Sequence, residues 1–363
     1  RETTLLLLLA LVVLLSGTGA TLTAVTVGGA TAYATWAQER ETRLQAVMST
    51  ATSRAVGLER ALHLAERQLE AVAGGAQALL EHGVPQEGRV LLAPSVFQDP
   101  TIRPADTAYS AAYARLLSTT WPDLVIAPDA DRALAAQQAR HLVPLRHLMR
   151  RAHLTMRQEL DGMTEAEAER AWRDEGGPTR FVQLGTPAGL HFEMPGAYWD
   201  VKGFDPRVRP WYALGTTTSP RWGNPMQEAS TGKLMVACSM QIPSSDGGML
   251  GVANMTVSFS WLIEKYLSPP HPSVRETFVV DEEGHIIVRS SEALGTKSRP
   301  DALDKVYGME PFPEAAVTAA LSGMTGTVYA DGGDTLYLHH PLSNGWWYVA
   351  QVDVGQAVSG SSP

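Results

Sequence analysis

The sequence contains a single cysteine, Cys238, in 363 residues. One thiol closes no internal disulfide, so a disulfide-built secreted fold is excluded, while either redox compartment stays open. No Cys/His spacing resembles a zinc site. Basic residues are outnumbered: 29 Lys and Arg stand against 38 Asp and Glu, a net charge of −9. That excludes the basic footprint that nucleic acid requires. No Gly-x-Ser-x-Gly elbow occurs. A phosphate loop is missing as well, because Leu234 follows Gly232-Lys233 where Ser or Thr is needed, and Gln227 stands in place of the first glycine. Ser230-Thr-Gly-Lys233 imitates a Ser-x-x-Lys nucleophile motif but falls where a hairpin turn belongs. Asp281, Glu282 and Glu283 read as a solvated turn rather than an acid–base pair. Without a nucleophile, a metal cluster or a catalytic acid pair, the expectation is a binding module: no catalytic residue, no metal site, no cofactor.

Charge is also absent between Glu2 and Glu39. About 20 apolar residues suffice to cross a bilayer core as a helix. The most apolar part runs from Leu5 to Leu15, Ser16 to Gly19 interrupt it, and Leu22 to Val27 resumes it. Two readings compete: a retained membrane anchor over 1–36, or a signal segment whose short core ends at the small residues Ser16 to Ala20. Hydrophobic character persisting past any cleavage point favours the anchor. Arg1 is the only basic residue before the segment, so charge leaves the orientation open.

From Leu44 the pattern is one long helix over 37–83. Leu44, Met48, Ala51, Ala55, Leu58, Leu62, Ala65, Leu69, Val72 and Ala76 alternate steps of four and three, a heptad seam. Such a seam either packs on its own domain or pairs with a second copy as a stalk, which leaves a homodimer open. Gly83 and Pro85 stop the helix. After a proline-rich loop, helical patterns are expected at Ala108 to Leu117 and at Asp129 to Leu160, the latter broken near Pro144. Thr164 with Glu167 is a capping box. His141, His147 and His153 lie at a spacing that puts no metal ligands on one face, and read as packing or surface residues.

From Thr179 the period changes to that of strands, and an internal quasi-repeat appears. Each unit has a hairpin, an intervening segment and a second hairpin: Phe181 to Phe192 with Lys233 to Phe259, then Phe278 to Val288 with Thr335 to Val354. Pro269 to Pro272 separates them as a stiff linker. The expected fold class is α+β, a long N-terminal helix followed by two tandem modules with antiparallel sheets, over 84–266 and 267–355, with a tail at 356–363.

The most distinctive stretch is Phe204-Asp-Pro-Arg-Val-Arg-Pro-Trp-Tyr212. Asp205-Pro206 starts a turn and Pro210 keeps Arg209 extended. Arg207, Arg209, Trp211 and Tyr212 then present guanidinium and aromatic groups together, chemistry suited to a carboxylate. The alternative is that Arg209 pairs with an internal acid and Trp211 fills the core. This nonapeptide resembles the signature of double Cache domains, the tandem PAS-like sensor regions of transmembrane signalling receptors. Ser230-Thr-Gly232, Gly251 to Leu262 and the Pro195 to Asp200 lead-in resemble the family more loosely.

The resemblance implies a membrane-distal module that holds a ligand, with Arg209, Trp211 and Tyr212 taking its carboxylate. Phe204 stands where the motif usually opens with tyrosine. Met226-Gln227-Glu228 stands where the family has Tyr-x-Asp, and Thr256 where a final aspartate falls. On this pattern Glu228 alone is left to meet an ammonium, so a carboxylate or other small polar metabolite is expected rather than a free α-amino acid. The ligand set is then Phe204, Arg209, Trp211, Tyr212, Met226, Glu228 and Thr256. The overall expectation is the periplasmic or extracellular region of an inner-membrane receptor, with its output domain outside this chain. A structural or partner-binding ectodomain is the alternative.

Overall fold

The computed structural model describes residues 2–86, 93–200, 202–228, 233–291, 310–321 and 324–359; the side chains of 2–30, 32, 227, 316, 319 and 320 fall outside that description. Helix α1 spans Glu2–His82. No proline occurs before Pro85 to break it, and at 1.5 Å per residue it is about 120 Å long. The charge-free stretch read as an anchor has its side chains outside the described residues, and among the described residues no helix is long and apolar enough to cross a membrane.

The first module opens with β1 (Ala108–Ser110), β2 (Arg115–Ser118) and β3 (Asp123–Ile126). Three helices follow: α2 (Arg132–Leu142), α3 (Arg146–Asp161) and α4 (Glu165–Glu175). Strands β4 (Thr179–Gly185), β5 (Leu190–Met194) and β6 (Gly196–Ala197) lead to α5 (Pro210–Leu214). Strands β7 (Arg221–Gln227), β8 (Leu234–Pro243) and β9 (Met249–Ser258) and the short α6 (Phe259–Leu262) complete the module. The second module holds β10 (Val274–Val280), β11 (His285–Arg289), β12 (Glu310–Pro311), α7 (Ala315–Ala320), β13 (Gly326–Ala330), β14 (Thr335–Pro341), β15 (Trp347–Asp353) and α8 (Val354–Ser359).

The quasi-repeat becomes a repeat of topology. The first module's main sheet is ordered β3-β5-β4-β9-β8-β7, and the second module's β12-β11-β10-β15-β14-β13. Five strands correspond one for one, and every pairing is antiparallel. The turns of the hairpins β4–β5, β8–β9, β10–β11 and β14–β15 each carry a glycine in the left-handed region, Gly189 (φ 80°), Gly247 (φ 89°), Gly284 (φ 85°) and Gly345 (φ 89°), a conformation that strains any other residue. The fold is therefore α+β, two tandem antiparallel modules on one long helix.

The heptad seam settles against its own chain. All its residues but Met48 are buried, and they join one apolar core with β4, β8 and β9. Lower on the helix, Arg43 donates to the Val358 carbonyl at 3.0 Å and His63 meets Ser343 at 2.8 Å. Higher up, Glu66 accepts from the Trp222 indole at 2.7 Å. The helix is thus a spine shared by both modules, and the stalk that pairs through this seam is replaced by an intramolecular packing face. Leu69 is fully buried. Leu69→Ala is expected to cost about 2–5 kcal/mol by leaving a cavity. Chemical denaturation at several protein concentrations checks this: the loss should not change with concentration, as it would if the seam held two copies together.

The expected helix at 108–117 is instead the β1–β2 hairpin, joined by a turn in which Ala114 has φ 53°. Tertiary bonds override the local pattern here. Tyr113 is fully buried, donates to the Arg180 carbonyl at 3.0 Å and accepts from the Trp172 indole at 3.1 Å. The remaining helical expectations hold: Val143–Leu145 breaks α2 from α3 at Pro144, and Thr164 and Glu167 close a reciprocal capping box. His153 is a packing residue, stacked on Trp172 at 4.0 Å and bonded to the Met194 carbonyl.

Candidate functional site

The two faces of the first sheet differ in chemistry. Side chains alternate across a strand, so one face presents Val182, Leu184, Phe192, Cys238, Ala253 and Met255, all buried in the shared core with α1. The other presents Gln183, Gly185, His191, Glu193, Ser239, Asn254 and Thr256, which are buried without being apolar. The nonapeptide covers one end of this polar face.

Asp205 begins that cover. Its carboxylate accepts from the Arg207 backbone N–H at 2.9 Å and starts a single 3-10 turn, Pro206–Val208. Arg207 is then held by Asp205 at 2.8 Å and Asp129 at 2.5 Å, which ties the loop to the α2 approach. That pairing holds the Asp205 carboxyl below its ordinary range. Arg209 is extended, with φ −86° and ψ 145°, as the proline after it requires. Its guanidinium lies 4.5 Å from the Phe204 ring centroid, within the range of a cation–π contact. Trp211 is buried on Ala237 and Val252, with Tyr212 and Met226 packed beside it. Gly185 makes this approach feasible: a Cβ there would lie 2.9 Å from both Trp211 and Tyr212.

Behind Arg209 the rings form a wall. His191 lies 4.7 Å from Phe204 and 6.0 Å from Trp211, and Trp199 lies 4.9 Å from Phe204. Burial, helped by the positive charge of Arg209, pushes the His191 imidazole down to about 3, so the ring is neutral. The polar groups then continue across the sheet as a ladder. Gln183 donates to Glu193, Asn254 donates to Gln183 at 2.8 Å, and Ser239 donates to Asn254 at 3.0 Å. On the far side of Glu193, directly across the β3–β5 pairing, is Asp123. Its Oδ2 accepts from the Ala197 N–H and the Trp199 indole, each at 3.1 Å. Among the described residues, Asp123 Oδ1 and both ring nitrogens of His191 are buried with no hydrogen-bond partner. Such orphaned groups are rare in folded proteins and mark places where polar chemistry is unfinished.

The expected ligand residues divide. Phe204, Arg209, Trp211, Tyr212 and Met226 gather at one end of the polar face. Thr256 lies on the same face, but its hydroxyl is occupied by β4, accepting from the Phe181 N–H at 3.0 Å. Glu228 is engaged by the protein's own cations. Its carboxylate is buried and takes both Nε (3.1 Å) and Nη2 (2.5 Å) of Arg180, with Arg115 at 3.7 Å. A carboxylate neutralised on two sides has little left to offer an ammonium.

No family model matches the chain. Among curated proteins it is similar to two methyl-accepting chemotaxis proteins of Pseudomonas putida. It is 26% identical to McpA over 173 residues and 27% identical to McpG over 162 residues. Those segments are 47% and 43% of this chain, and only 25% and 24% of the relatives' own length. The chain thus spans about a quarter of the curated relatives it matches. The tandem sheets, the spine helix and the nonapeptide agree with this similarity. The architecture is the one expected from the resemblance of the nonapeptide to double Cache domains: a long helix followed by two tandem antiparallel modules.

Solved ligand-binding domains of chemoreceptors overlay on it in part. One is the ligand-binding domain of the Pseudomonas fluorescens chemoreceptor CtaA with L-serine, at 25% identity and TM-score 0.34, covering 48% of this chain and 73% of that one. Another is that of PctC of Pseudomonas aeruginosa PAO1 with GABA, at 22% identity and TM-score 0.35, covering 61% and 96%.

Asp123, His191 and Glu193 on the polar face were not singled out from the sequence. A signal for them existed. Leu190-His-Phe-Glu-Met194 alternates apolar and polar residues, which in a strand puts His191 and Glu193 on one face. Asp123 likewise opens an apolar strand, Asp123–Ile126. In the second module Asp281, Glu283 and His285 cluster within 4.8 Å. There Asp281 caps its own turn, accepting from the Glu283 and His285 N–H groups at 2.9 and 2.8 Å. Of the Ser230 to Lys233 imitation, Ser230, Thr231 and Gly232 lie outside the described residues.

Proposed function

We propose that this chain is the extracytoplasmic ligand-sensing region of a transmembrane signalling receptor, and that its first, membrane-distal module takes a small carboxylate-bearing or polar metabolite. The observation that carries this reading is the buried polar sheet face closed at one end by Arg209 and its aromatic neighbours. A guanidinium over a desolvated wall of rings suits a carboxylate, because the fork matches its two oxygens and the rings exclude competing water. Similarity to methyl-accepting chemotaxis proteins supports a signalling role. The spine helix, bonded to both modules, is the element through which a bound solute would bias an output, provided the solute binds one arrangement better than another.

Membrane attachment through the N-terminal part of α1 belongs to this proposal, with the modules on the periplasmic side. Tyr33 and Trp36 support it. They are 70% and 53% exposed, stand 5.9 Å apart at the end of the charge-free stretch, and precede Arg40. Exposed aromatics followed by a basic residue are what a helix carries at a membrane–water interface. Pairing with a second copy then falls to the side of α1 away from the seam, where Val56 is exposed.

A thermal-shift screen of the full chain against short-chain mono- and dicarboxylates tests the proposal. At a hundredfold excess over Kd, a bound acid stabilises by about 2.7 kcal/mol, a rise of several degrees. Silence across the panel, together with specific capture of a protein partner, would favour a partner-binding ectodomain instead.

A further inference from the structure

The polar layer carries an imbalance of charge. Three carboxylates, Asp123, Glu193 and Glu228, share it with two guanidiniums, Arg115 and Arg180. Glu228 takes Arg180 directly, and Arg115 lies 3.7 Å from Glu228 while attracting Asp123 and Glu193 from a greater distance. Among the buried groups one negative charge is left over, and the exposed ammonium of Lys233 acts on Glu228 from outside the layer. Asp123 and Glu193 face each other across the β3–β5 pairing, where opposed side chains have Cβ atoms about 5 Å apart. Asp123 is fully buried and Glu193 nearly so. Two buried carboxylates at that distance do not both ionise without a cation between them. His191 offers none, since its ring is neutral, and Arg209 lies beyond it at the rim.

We infer that Asp123 and Glu193 form the cation subsite of the distal module, on strands away from the positions where the family resemblance looks for acids, and that an ammonium group entering it replaces a shared proton. This rests on the proposed ligand-binding role of the module. In the free protein, burial raises both groups, with repulsion from Glu193 adding to it at Asp123 and repulsion from Glu228 adding to it at Glu193: Asp123 lies well above its ordinary range and Glu193 is pushed up to about 7. The unpartnered Asp123 Oδ1 is the acceptor such a ligand would complete. The proton it displaces leaves to solvent. The ligand class is therefore a primary amine, with a carboxylate at its other end if Arg209 is engaged as well. This departs from the expectation drawn from Glu228 alone: the ammonium side is relocated rather than lost.

Calorimetric titration of the full chain tests the inference. The probes are glycine, 3-aminopropanoate, 4-aminobutanoate and 5-aminopentanoate, with the matching fatty acids and alkylamines. At least one aminocarboxylate should bind at least tenfold more tightly than its fatty acid. That advantage should vanish in Asp123→Asn and in Glu193→Gln, while the fatty acid binds both variants as it binds the wild type. Because a proton competes for the same site, affinity for the amine should fall about tenfold from pH 8 to pH 6. Heats measured in buffers of different ionisation enthalpy should show proton release. The inference is overturned if fatty acids bind through Arg209 while the amino group adds nothing, or if Asp123→Asn leaves the aminocarboxylate unaffected; the sensing role survives both results. If no probe binds the wild type, the sensing role falls and the inference falls with it.

Discussion

Arg209→Ala should weaken the binding of a small carboxylate about a hundredfold, with little change in the stability of the free protein. A hydrogen bond to a charged group contributes about 1.5–3 kcal/mol, and a bidentate guanidinium pair makes two in fixed geometry. Losing about 3 kcal/mol corresponds to about a hundredfold in Kd. The fold depends little on this side chain, because it sits half-buried at the rim over Phe204 rather than in the shared core. Arg209→Lys keeps the charge and loses the fork, so an intermediate loss of about tenfold is expected. Calorimetry on the three proteins reads the series directly. Equal affinity in all three would place the carboxylate elsewhere.

The second large effect concerns stability, with Glu228 as its centre. Arg180→Met should lower the free energy of unfolding by about 3–5 kcal/mol, the usual cost of leaving one partner of a buried ion pair uncompensated. Arg180 and Glu228 are both almost wholly buried, and the guanidinium also donates to the Ala112 carbonyl at 3.2 Å. Its plane lies 3.9 Å from the Tyr113 ring centroid, so the change also loosens the β1–β2 hairpin. The double variant Arg180→Met with Glu228→Gln should recover part of the loss, because the stranded charge is gone. Urea denaturation monitored by fluorescence checks both. A wild-type midpoint in Arg180→Met would mean that the pair is not a structural element.

How far the sequence discloses this molecule varies with the type of signal. Hairpins were legible because each turn needs a glycine at positive φ and the flanking strands alternate. The repeat was legible because both modules use the same turns at the same places. The seam on α1 was legible as a seam, but its partner was not, since a heptad pattern records that one face is apolar and not what covers it. The β1–β2 hairpin was misread because its conformation is set by Tyr113, Arg180 and Trp172, which are distant in sequence. The motif end of the site was legible because Arg209, Trp211 and Tyr212 are consecutive enough to be seen together. The acid pair was not, because Asp123 and Glu193 become neighbours only when β3 pairs with β5. The ion pair of Glu228 was hidden for the same reason: its partner Arg180 lies on β4, far along the chain.

One measurement bears most directly on the claim that a solute is held on the polar face of the first sheet. A crystal structure of the chain soaked with the tightest acid from the thermal screen should show its carboxylate against the guanidinium at residue 209, between Phe204 and Trp211. Density for that acid in the second module, or on the outer surface of α1, would contradict the account.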